Sequence, residues 1–420
     1  MMRFIADFHI HSKYSRATSR EMEVETLAQW AKKKGIALLG TGDFTHPTYF
    51  AELRSKLEPS GNGLLKLRRG NQDVRYILTT EVSNIYTQNG RVRRVHTLIF
   101  APSFEVVEAI RSKLGNIGKL SSDGRPIFSF TTKELIKMIL DISSDCLIIP
   151  AHVWTPWFSI FGANSGFDSI EECFGEMTPH IHAIETGLSS DPEMNWRVSA
   201  LDSMTLLSNS DAHSPNRLGR EANVFNCSLD YQEITGAIRK KDPNKLLFTI
   251  EFFPEEGKYH YDGHRQCGVI TSPSQTKENQ SLCPNCHKKL TVGVMHRVEE
   301  LADRPEGFIP KNAIPSIHLI PLEEIIAETL GVRVGAKAVE TEYERLIEPG
   351  SSEFKILLDT PPDELALFVP SNILEGIIRM RQGKVSIVPG HDGVYGKINL
   401  FPERKEEEKS KEQLKLFHTL

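Results

Sequence analysis

The stretch Met2-Arg3-Phe4-Ile5-Ala6-Asp7-Phe8-His9-Ile10-His11 decides the prediction of the fold. Its apolar start, Met2–Ala6, is typical of a buried β-strand, and two imidazoles follow at its end. Residues i and i+2 of a strand share a face, so His9 and His11 can reach one metal ion. The stretch therefore predicts a buried strand that carries part of a metal site.

The same pattern recurs along the first half of the chain, where further apolar runs are followed by His, Asp or Glu. The other predicted strands are Ile36–Gly40, Tyr76–Thr80, Cys146–Pro150 and Met204–Leu207. The candidate metal ligands that accompany them are Asp43, His46, Glu81, His96, His152, Asp211 and His213. In a (β/α) barrel the C-terminal ends of the strands form the active site, so these side chains should converge. Imidazole with carboxylate suits two or three divalent ions, with Zn, Mn or Mg as candidates.

Composition describes an ordinary globular protein. The chain has 420 residues, 39% of them hydrophobic and 25% charged, with a formal net charge of −5. No apolar run approaches the ~18 residues that span a bilayer, so we expect a cytoplasmic protein with no membrane partner. Cys146, Cys173 and Cys227 are scattered in apolar context, which favours core thiols over disulfides.

Residues 1–258 alternate strand-like and helix-like stretches. The stretch Glu21–Lys34 has helix formers, apolar residues at helical spacing and a final Gly35, and the strand Ile36–Gly40 follows at once. Strand, helix, strand at this rhythm predicts a parallel α/β domain.

Residues 259–296 predict a zinc-binding module. Cys283 and Cys286 form a Cys-x2-Cys pair with Pro284 inside it, and His264-x2-Cys267 supplies the second half. His260 and His287 remain alternatives for the nitrogen ligand. The zinc is expected to be structural, because the segment lacks a core of its own.

Residues 297–402 predict a compact mixed domain, with helices at Leu322–Leu330, Asp363–Phe368 and Ser371–Gln382. Residues 403–420 predict a charged flexible tail. Its tip, Gln413 to Leu420, regains apolar character, and Gln413-x-x-Leu416 matches the start of a peptide that docks onto a replication sliding clamp. Thr419 and Leu420 stand where that pattern expects two aromatic residues, so a tail that folds back on the body is the alternative.

The metal-ligand motifs resemble those of the PHP (polymerase and histidinol phosphatase) superfamily. The matching pieces are Phe8-His9-Ile10-His11-Ser12, Gly42-Asp43, Glu81-Val82-Ser83, Ala151-His152 and Ser210-Asp211-Ala212-His213. The resemblance covers residues 1–250 and implies a distorted barrel with a di- or trinuclear metal centre. In the usual motif His directly follows the Asp of the second piece. Here Phe44 takes that place and His46 comes two residues later.

The segment Glu185–Arg197, the His/Cys3 module and the C-terminal region together are similar to the endonuclease Q family. This resemblance spans essentially the whole chain. It implies an α/β fold with a distorted (β/α) PHP barrel, an appended zinc-binding module and a smaller mixed C-terminal domain. It also implies an endodeoxyribonuclease that nicks DNA 5′ to deaminated bases (hypoxanthine, uracil, xanthine) and abasic sites.

A nuclease that recognises one altered base must take that base out of the stack, so we expect a base pocket near the metals. Asp191 and Asp211 are the candidate catalytic residues; for Asp191 the alternative is that it only caps the next helix. The candidate substrate-binding residues are Trp154, Trp157, Phe158, Asn195 and Arg197. For both tryptophans the alternative is a place in the core of the barrel rim.

Two other functions are compatible with the same motifs. One is a PHP-type small-molecule phosphoesterase, although such a substrate needs neither a zinc module nor an extra domain. The other is a nucleic-acid-binding scaffold with a degenerate PHP domain, which the nearly complete ligand set disfavours. We therefore expect a DNA-repair endonuclease whose partner is DNA with a damaged base.

Overall fold

The computed structural model of the protein describes residues 2–347 and 350–402. Its strands, in chain order, are β1 Met2–Asp7, β2 Leu38–Gly40, β3 Leu57–Gly61, β4 Leu64–Leu67, β5 Arg75–Gln88, β6 Arg91–Ala101, β7 Ile127–Phe128, β8 Leu147–Pro150, β9 Ala183–Glu185, β10 Thr205–Leu207, β11 Ala222–Cys227, β12 Leu246–Glu251, β13 Asp262–His264, β14 Val269–Thr271, β15 Ser316–His318, β16 Ser386–Val388 and β17 Lys397–Asn399.

The α-helices, in the same order, are α1 Val24–Lys34, α2 Pro47–Lys56, α3 Phe104–Gly115, α4 Thr132–Ile142, α5 Ile170–Phe174, α6 Pro192–Asn195, α7 Tyr231–Lys240, α8 Pro273–Glu278, α9 Val294–Leu301, α10 Leu322–Leu330, α11 Lys337–Leu346, α12 Pro362–Leu365 and α13 Ser371–Arg381. None of the described helices is long and apolar enough to cross a membrane. The predicted clamp-binding tip, Gln413 to Leu420, lies outside the described residues.

A large mixed sheet organises the fold, whereas the sequence predicted a parallel one. β1, β2 and β5 pair in parallel, but β11 runs antiparallel to β1, and β6 runs antiparallel to both β5 and β8. The difference arises because β5 and β6 form a hairpin whose two-residue loop is Asn89-Gly90, with φ of 51° and 74°. Positive φ at both loop residues is the geometry that matches the twist of paired antiparallel strands.

Single backbone hydrogen bonds continue this sheet toward β9 and β10, which pair with each other in parallel. The amide of Val153, after β8, donates to the carbonyl of Glu185 at 3.0 Å. The amide of His11, after β1, donates to the carbonyl of Ala212 at 3.0 Å. The strand ladders of the described residues do not themselves close a barrel, but these bonds bring the ends of β1, β8, β9 and β10 together.

Helix α1 shows how local sequence sets these elements. Its buried face consists of Val24, Leu27, Ala28 and Ala31, which recur at helical spacing and pack into the core. The helix ends at Gly35, whose φ of 90° is open to glycine at little cost. The helix begins at Val24, three residues later than predicted, because Glu23 already has extended backbone geometry.

The sheet also reaches into the part of the chain predicted to be a separate C-terminal domain. β15 pairs in parallel with β12, with His318 opposite Glu251. Helix α9, Val294–Leu301, crosses the predicted boundary at residue 297. Helices α10, α11 and α13 bury apolar side chains in the same core as α1. The C-terminal region therefore contains both helices and strands, and it packs directly on the sheet.

Candidate metal centre

The side chains of His9, His11 and Asp211 form the first ligand cluster. His9 and His11 follow β1 and Asp211 follows β10, so strand ends deliver all three. Oδ1 of Asp211 lies 3.6 Å from Nε2 of His9 and 3.0 Å from Nε2 of His11. All three atoms are buried and lack a hydrogen-bond partner among the described residues. Buried polar atoms without a partner are costly, so this donor set fits a cation placed between them.

Glu81, His96 and His152 form the second cluster. Oε1 of Glu81 lies 2.7 Å from Nδ1 of His96 and 3.1 Å from Nε2 of His152. The other carboxylate oxygen, Oε2, lies 3.5 Å from Nε2 of His11 in the first cluster. Glu81 therefore faces both clusters at once.

Three neighbouring side chains contact Nδ1 of the histidine rings and so hold these rings in place. Glu185 contacts Nδ1 of His9 at 3.0 Å, Asp43 contacts Nδ1 of His11 at 3.0 Å, and Thr155 Oγ1 lies 3.1 Å from Nδ1 of His152. Such contacts select the tautomer whose Nε2 lone pair faces a metal. The predicted ligand Asp43 thus orients His11; its other oxygen accepts bonds from the amide and hydroxyl of Ser12.

The backbone is strained at this centre. Asp43, His152 and Asp211 have φ of 43°, 31° and 47°. Non-glycine residues seldom adopt positive φ, and such positions concentrate at functional sites, where the surrounding structure holds them. The turns after β2, β8 and β10 therefore hold a strained backbone conformation, and this conformation sets the direction of their side chains.

Electrostatics at the two clusters are tightly linked. Burial raises the pKa of Glu81, but His96, His9 and the other imidazoles outweigh burial and hold that pKa well below its usual value. Burial lowers the pKa of His9, whereas the carboxylates of Glu185, Asp211 and Glu81 raise it well above its usual value. A divalent cation competes with protons for the same lone pairs, so metal binding here should release protons.

Two predicted ligands lie at the margin of the clusters. His46 caps α2, where its Nδ1 accepts a bond from the amide of Tyr49 at 3.4 Å, and its ring stacks on Tyr14. It joins neither cluster, so its prediction as a ligand does not fit this geometry. His213 packs on His11 with ring centroids 4.6 Å apart, but Nδ1 contacts the carbonyl of Asp211.

Asp191 follows β9 and caps α6. Its Oδ1 accepts a 2.8 Å bond from the amide of Met194, as the capping alternative predicted. Its second oxygen, Oδ2, lies 3.3 Å from Nε2 of His318. The carboxylates of Asp191, Glu193 and Glu251 outweigh the effect of burial and raise the pKa of His318 to about 9. Asp191 is thus paired with a cationic imidazole from β15.

The five predicted substrate-binding residues divide into two groups. Trp154 and Asn195 are buried and bonded to each other, and Arg197 is buried in an ion pair with Glu299. The burial of these three side chains fits a packing role, which was the alternative for Trp154, and their prediction as substrate-binding residues stays a prediction. Trp157 is 44% exposed. Phe158 lies against the ligand His96, with ring centroids 4.7 Å apart.

A cavity of about 630 Å³ is lined by segments that follow residues of the metal centre in the chain. Pro156, Ser189 and Arg217 line it, and each lies four residues after His152, Glu185 or His213, respectively. The opposite walls come from the remaining parts of the chain, through Tyr259, His260, Glu324 and Tyr395. The zinc-binding module and the C-terminal region thus complete a pocket that the strand ends alone leave open.

A separate group of metal-type ligands lies in the predicted zinc module. The ligand atoms of His264, Cys267, Cys283 and Cys286 all lie within 4.8 Å of one another. Nδ1 of His264 is 3.5 Å from Sγ of Cys286. His260 instead lines the pocket and stays outside this group. The four donors fit the closed tetrahedral shell of a structural metal.

Sequence reasoning missed two residues of the centre. Glu185 contacts His9 and also accepts a 2.9 Å bond from the amide of His152. It ends β9, and His9 and His11 likewise come after the end of β1, so that signal could have found it. Arg125 reaches Glu81 from a loop, with Nη1 3.1 Å from Oε2. No pattern in the sequence distinguishes Arg125 from other loop arginines.

Comparisons with known proteins agree with this architecture. A family model described as the MJ0043 C-terminal domain matches residues 321–384. The crystal structure of the lesion-specific endonuclease PfuEndoQ from Pyrococcus furiosus has a TM-score of 0.85 and 34% identity, over 97% of this chain and 99% of that chain. Endonuclease Q in complex with a 27-mer duplex that has an abasic lesion at the active site has a TM-score of 0.83 and 34% identity, over 96% and 98% of the chains.

Two curated proteins are also similar. Uncharacterized protein YqxK from Bacillus subtilis (strain 168) is 30% identical over 414 residues, which is 95% of this chain and 100% of that protein. Uncharacterized protein MJ0043 from Methanocaldococcus jannaschii is 35% identical over 265 residues, 61% of this chain but only 32% of that protein. The full-length structural and sequence matches show that the chain belongs to the endonuclease Q family.

Proposed function

We propose that this protein is a metal-dependent DNA-repair endonuclease that nicks the phosphodiester 5′ to deaminated bases (hypoxanthine, uracil, xanthine) and to abasic sites. The full-length similarity to a lesion-specific endonuclease, and to a complex with abasic duplex DNA, supports a nuclease that acts on damaged DNA. The identity of these bases and cleavage on their 5′ side are inferred from the family resemblance of the sequence.

One observation carries the proposal: the segments that bear a donor set suited to cations continue into the walls of a pocket. Nε2 of His9, Nε2 of His11 and Oδ1 of Asp211 are buried, and none of them has a hydrogen-bond partner among the described residues. Buried polar atoms need a partner, and a bound cation would provide it. Pro156, Ser189 and Arg217 of the pocket wall follow His152, Glu185 and His213, respectively, by four residues. A phosphodiester at the centre would therefore place the adjoining base in reach of the pocket.

The residues of the two clusters fit two neighbouring divalent ions. His9, His11 and Asp211 would hold one, His96 and His152 the other, with Glu81 between them. When bound, such ions would lower the pKa of a water molecule toward ~7 and stabilise the leaving oxygen. The chain itself contributes orientation: Glu185, Asp43 and Thr155 hold three imidazoles in place.

The reaction proposed is hydrolysis. The oxygen of water forms a bond to phosphorus, the bond from phosphorus to the 3′ oxygen breaks, and that oxygen takes up a proton. The products are a 3′-hydroxyl and a 5′-phosphate. Asp211 remains the candidate catalytic ligand, and Asp191, paired with His318, remains the second candidate.

The pocket is proposed to receive the extruded base. Flipping a base costs a few kcal/mol and is easiest for a mispaired or damaged one, which itself favours lesions. Tyr259, His260 and Arg217 line this pocket, so two rings and a guanidinium stand in its wall. Trp157, whose ring meets that of Tyr259 edge-on at 6.4 Å, is exposed nearby and suits stacking on a neighbouring base.

The remaining parts have supporting roles in this proposal. Residues 1–258 supply the nuclease centre, 259–296 a module held by a structural Zn, and 297–402 the helical region that completes the pocket. The comparisons give no support for a sliding clamp as a partner. That contact stays a prediction from residues 413–420, to be tested by deletion of the tail.

The test is a panel of labelled duplexes that contain one hypoxanthine, uracil, xanthine or abasic site, with an undamaged duplex as the control. We expect a nick 5′ to each lesion and none in the control. Asp211→Asn should lower the rate by on the order of 10²-fold or more while the fold stays intact, because the first cluster loses its carboxylate charge. Equal cutting of all duplexes would contradict lesion recognition. Hydrolysis of p-nitrophenyl phosphate without any nicking would favour the small-molecule phosphoesterase.

A further inference from the structure

Arg125 brings a positive charge to the edge of the metal centre. Its Nη1 donates to Oε2 of Glu81 at 3.1 Å, the same oxygen that lies 3.5 Å from Nε2 of His11. Among residues 2–347 and 350–402, no other lysine or arginine pairs with a residue of the two clusters. About a quarter of the Arg125 side chain, 24%, is exposed, whereas Glu81 is fully buried. The guanidinium therefore contacts the buried Glu81, and part of the Arg125 side chain is exposed to solvent.

The loop that carries Arg125 is fixed against the centre. The amide of Gly124 donates to the carbonyl of Tyr14 at 3.0 Å, and the hydroxyl of Thr45 donates to the carbonyl of Gly124 at 3.2 Å. A Cβ added at Gly124 would lie 2.3 Å from Oδ2 of Asp43, so only glycine allows this close approach. The guanidinium is thus preorganised: the loop holds it in position, so it does not have to be ordered when substrate binds.

The charge of Arg125 is paired with Glu81, the carboxylate that also faces both clusters. Divalent ions in the two clusters would add further positive charge within a few ångströms of Arg125. Glu81 would then share one negative charge between Arg125 and those ions, which favours a further anion beside them. The nearby anion expected in a phosphodiesterase is the phosphate that is cleaved.

Glu81 accepts from only one nitrogen of the Arg125 guanidinium. Arginine has five donors in a planar fork, and the bond to Glu81 occupies Nη1. Within the described residues the guanidinium makes no second polar side-chain contact. The remaining donors, on Nε and Nη2, match the two non-bridging oxygens of a phosphate.

We infer that Arg125 is a further catalytic residue, which binds the non-bridging oxygens of the scissile phosphate while Glu81 holds its other edge. The inference rests on the proposed phosphodiesterase function. Arg125 would neutralise charge as water adds to phosphorus and the bond to the 3′ oxygen breaks. It would also fix the phosphate between the metal clusters and the pocket.

The experiment compares Arg125→Ala and Arg125→Lys with wild type, and uses Arg54→Ala as the control. Arg54 is an exposed arginine on α2 that pairs with Glu108. Three quantities are measured: the metal content of each protein, the affinity of the metal-loaded and metal-free proteins for inorganic phosphate, and single-turnover nicking of an abasic duplex. Methylguanidinium is added to the Ala variant as a chemical rescue.

We expect Arg125→Ala to keep its metals, to bind inorganic phosphate at least tenfold more weakly, and to nick on the order of 10²–10³-fold more slowly, with partial rescue by methylguanidinium. Arg125→Lys should fall between, because it keeps the charge but loses the fork. Arg54→Ala should match wild type. Unchanged phosphate affinity and rate in Arg125→Ala would overturn the inference. So would a loss of metal that accounts for the slower rate, because Arg125 would then only hold Glu81.

The measurement of phosphate affinity distinguishes a failure of this inference from a failure of the proposed function. If wild type nicks no lesion duplex, the proposed function fails. If phosphate binding still depends on Arg125 in that case, the inference survives as an anion site of another phosphoesterase.

Discussion

The indole Nε1 of Trp154 donates a 2.8 Å hydrogen bond to Oδ1 of Asn195, and both side chains are buried. This bond joins the loop after β8 to helix α6, the two segments that frame the metal centre. The amide of Asn195 is held from its other end by the carbonyl of Asp191 at 2.7 Å. Two residues first assigned to substrate binding thus hold the wall behind the pocket.

Trp154→Phe should therefore lower stability more than it changes lesion choice. The change leaves a buried carbonyl oxygen without its donor, which costs about 1–3 kcal/mol of unfolding free energy. Urea denaturation of the variant measures this loss, and Trp157→Phe, at an exposed position, is the matched control. A Trp154→Phe protein with wild-type stability and altered base preference would contradict this role.

Trp157→Ala should have the opposite profile. Because Trp157 is 44% exposed near the pocket, its removal costs little stability. A lost base stack is worth about 1–3 kcal/mol, so the affinity for lesion duplexes should fall by roughly tenfold. Fluorescence anisotropy with lesion and undamaged duplexes measures both affinities. An equal loss for both would mean that the ring contacts DNA without helping to choose the lesion.

Glu185→Gln should weaken the metal centre without unfolding it. Glu185 orients His9 through Nδ1, and loss of such a partner typically costs 10–100-fold in metal affinity or activity. Metal titration of the purified variant is the measurement, with the exposed Glu233→Gln as the control. Wild-type metal affinity in Glu185→Gln would show that the ring of His9 needs no carboxylate behind it.

Cys283→Ser should remove one zinc per chain and lower the melting temperature. The four donors His264, Cys267, Cys283 and Cys286 converge, and a zinc-organised module gains much of its folding energy from the ion. The position of the nick should stay the same, because a closed shell leaves no open coordination site. Cys227→Ala, a buried thiol outside this group, should keep the full zinc content. Wild-type zinc in Cys283→Ser would remove Cys283 from the shell.

Glu251→Gln should alter how stability depends on pH. Burial raises the pKa of Glu251 to about 8, although the hydroxyl of Thr249 donates to its Oε1. A carboxyl whose folded pKa is raised binds its proton more tightly when folded, so its contribution to stability is present below pH ~4.5 and lost as pH rises toward 8. The neutral Gln should therefore gain on the order of a few kcal/mol relative to wild type at pH 9 and little at pH 5. Denaturation at both values tests this, and equal differences at the two would contradict it.

Strand-end ligands were predictable from sequence because each comes directly after an apolar run. His9 and His11 follow β1, and Asp211 follows β10, so their side chains meet where these strands end. The spacing of His264, Cys267, Cys283 and Cys286 likewise predicted their convergence, since short motifs fix local geometry. The hairpin of β5 and β6 was missed, although Asn89-Gly90 is a strong hairpin signal.

Only the tertiary structure decided which polar residues face the site and which face the core. Trp154, Asn195 and Arg197 lie near the centre in sequence, but packing turns them inward. Arg125 lies far from every motif, yet its loop places it on Glu81. Sequence by itself determined the ligand types and the strands that carry them, because those depend on local periodicity. The pocket depends on contacts between segments that are distant in the chain, such as Arg217 and Tyr395, and no local pattern encodes which of them meet.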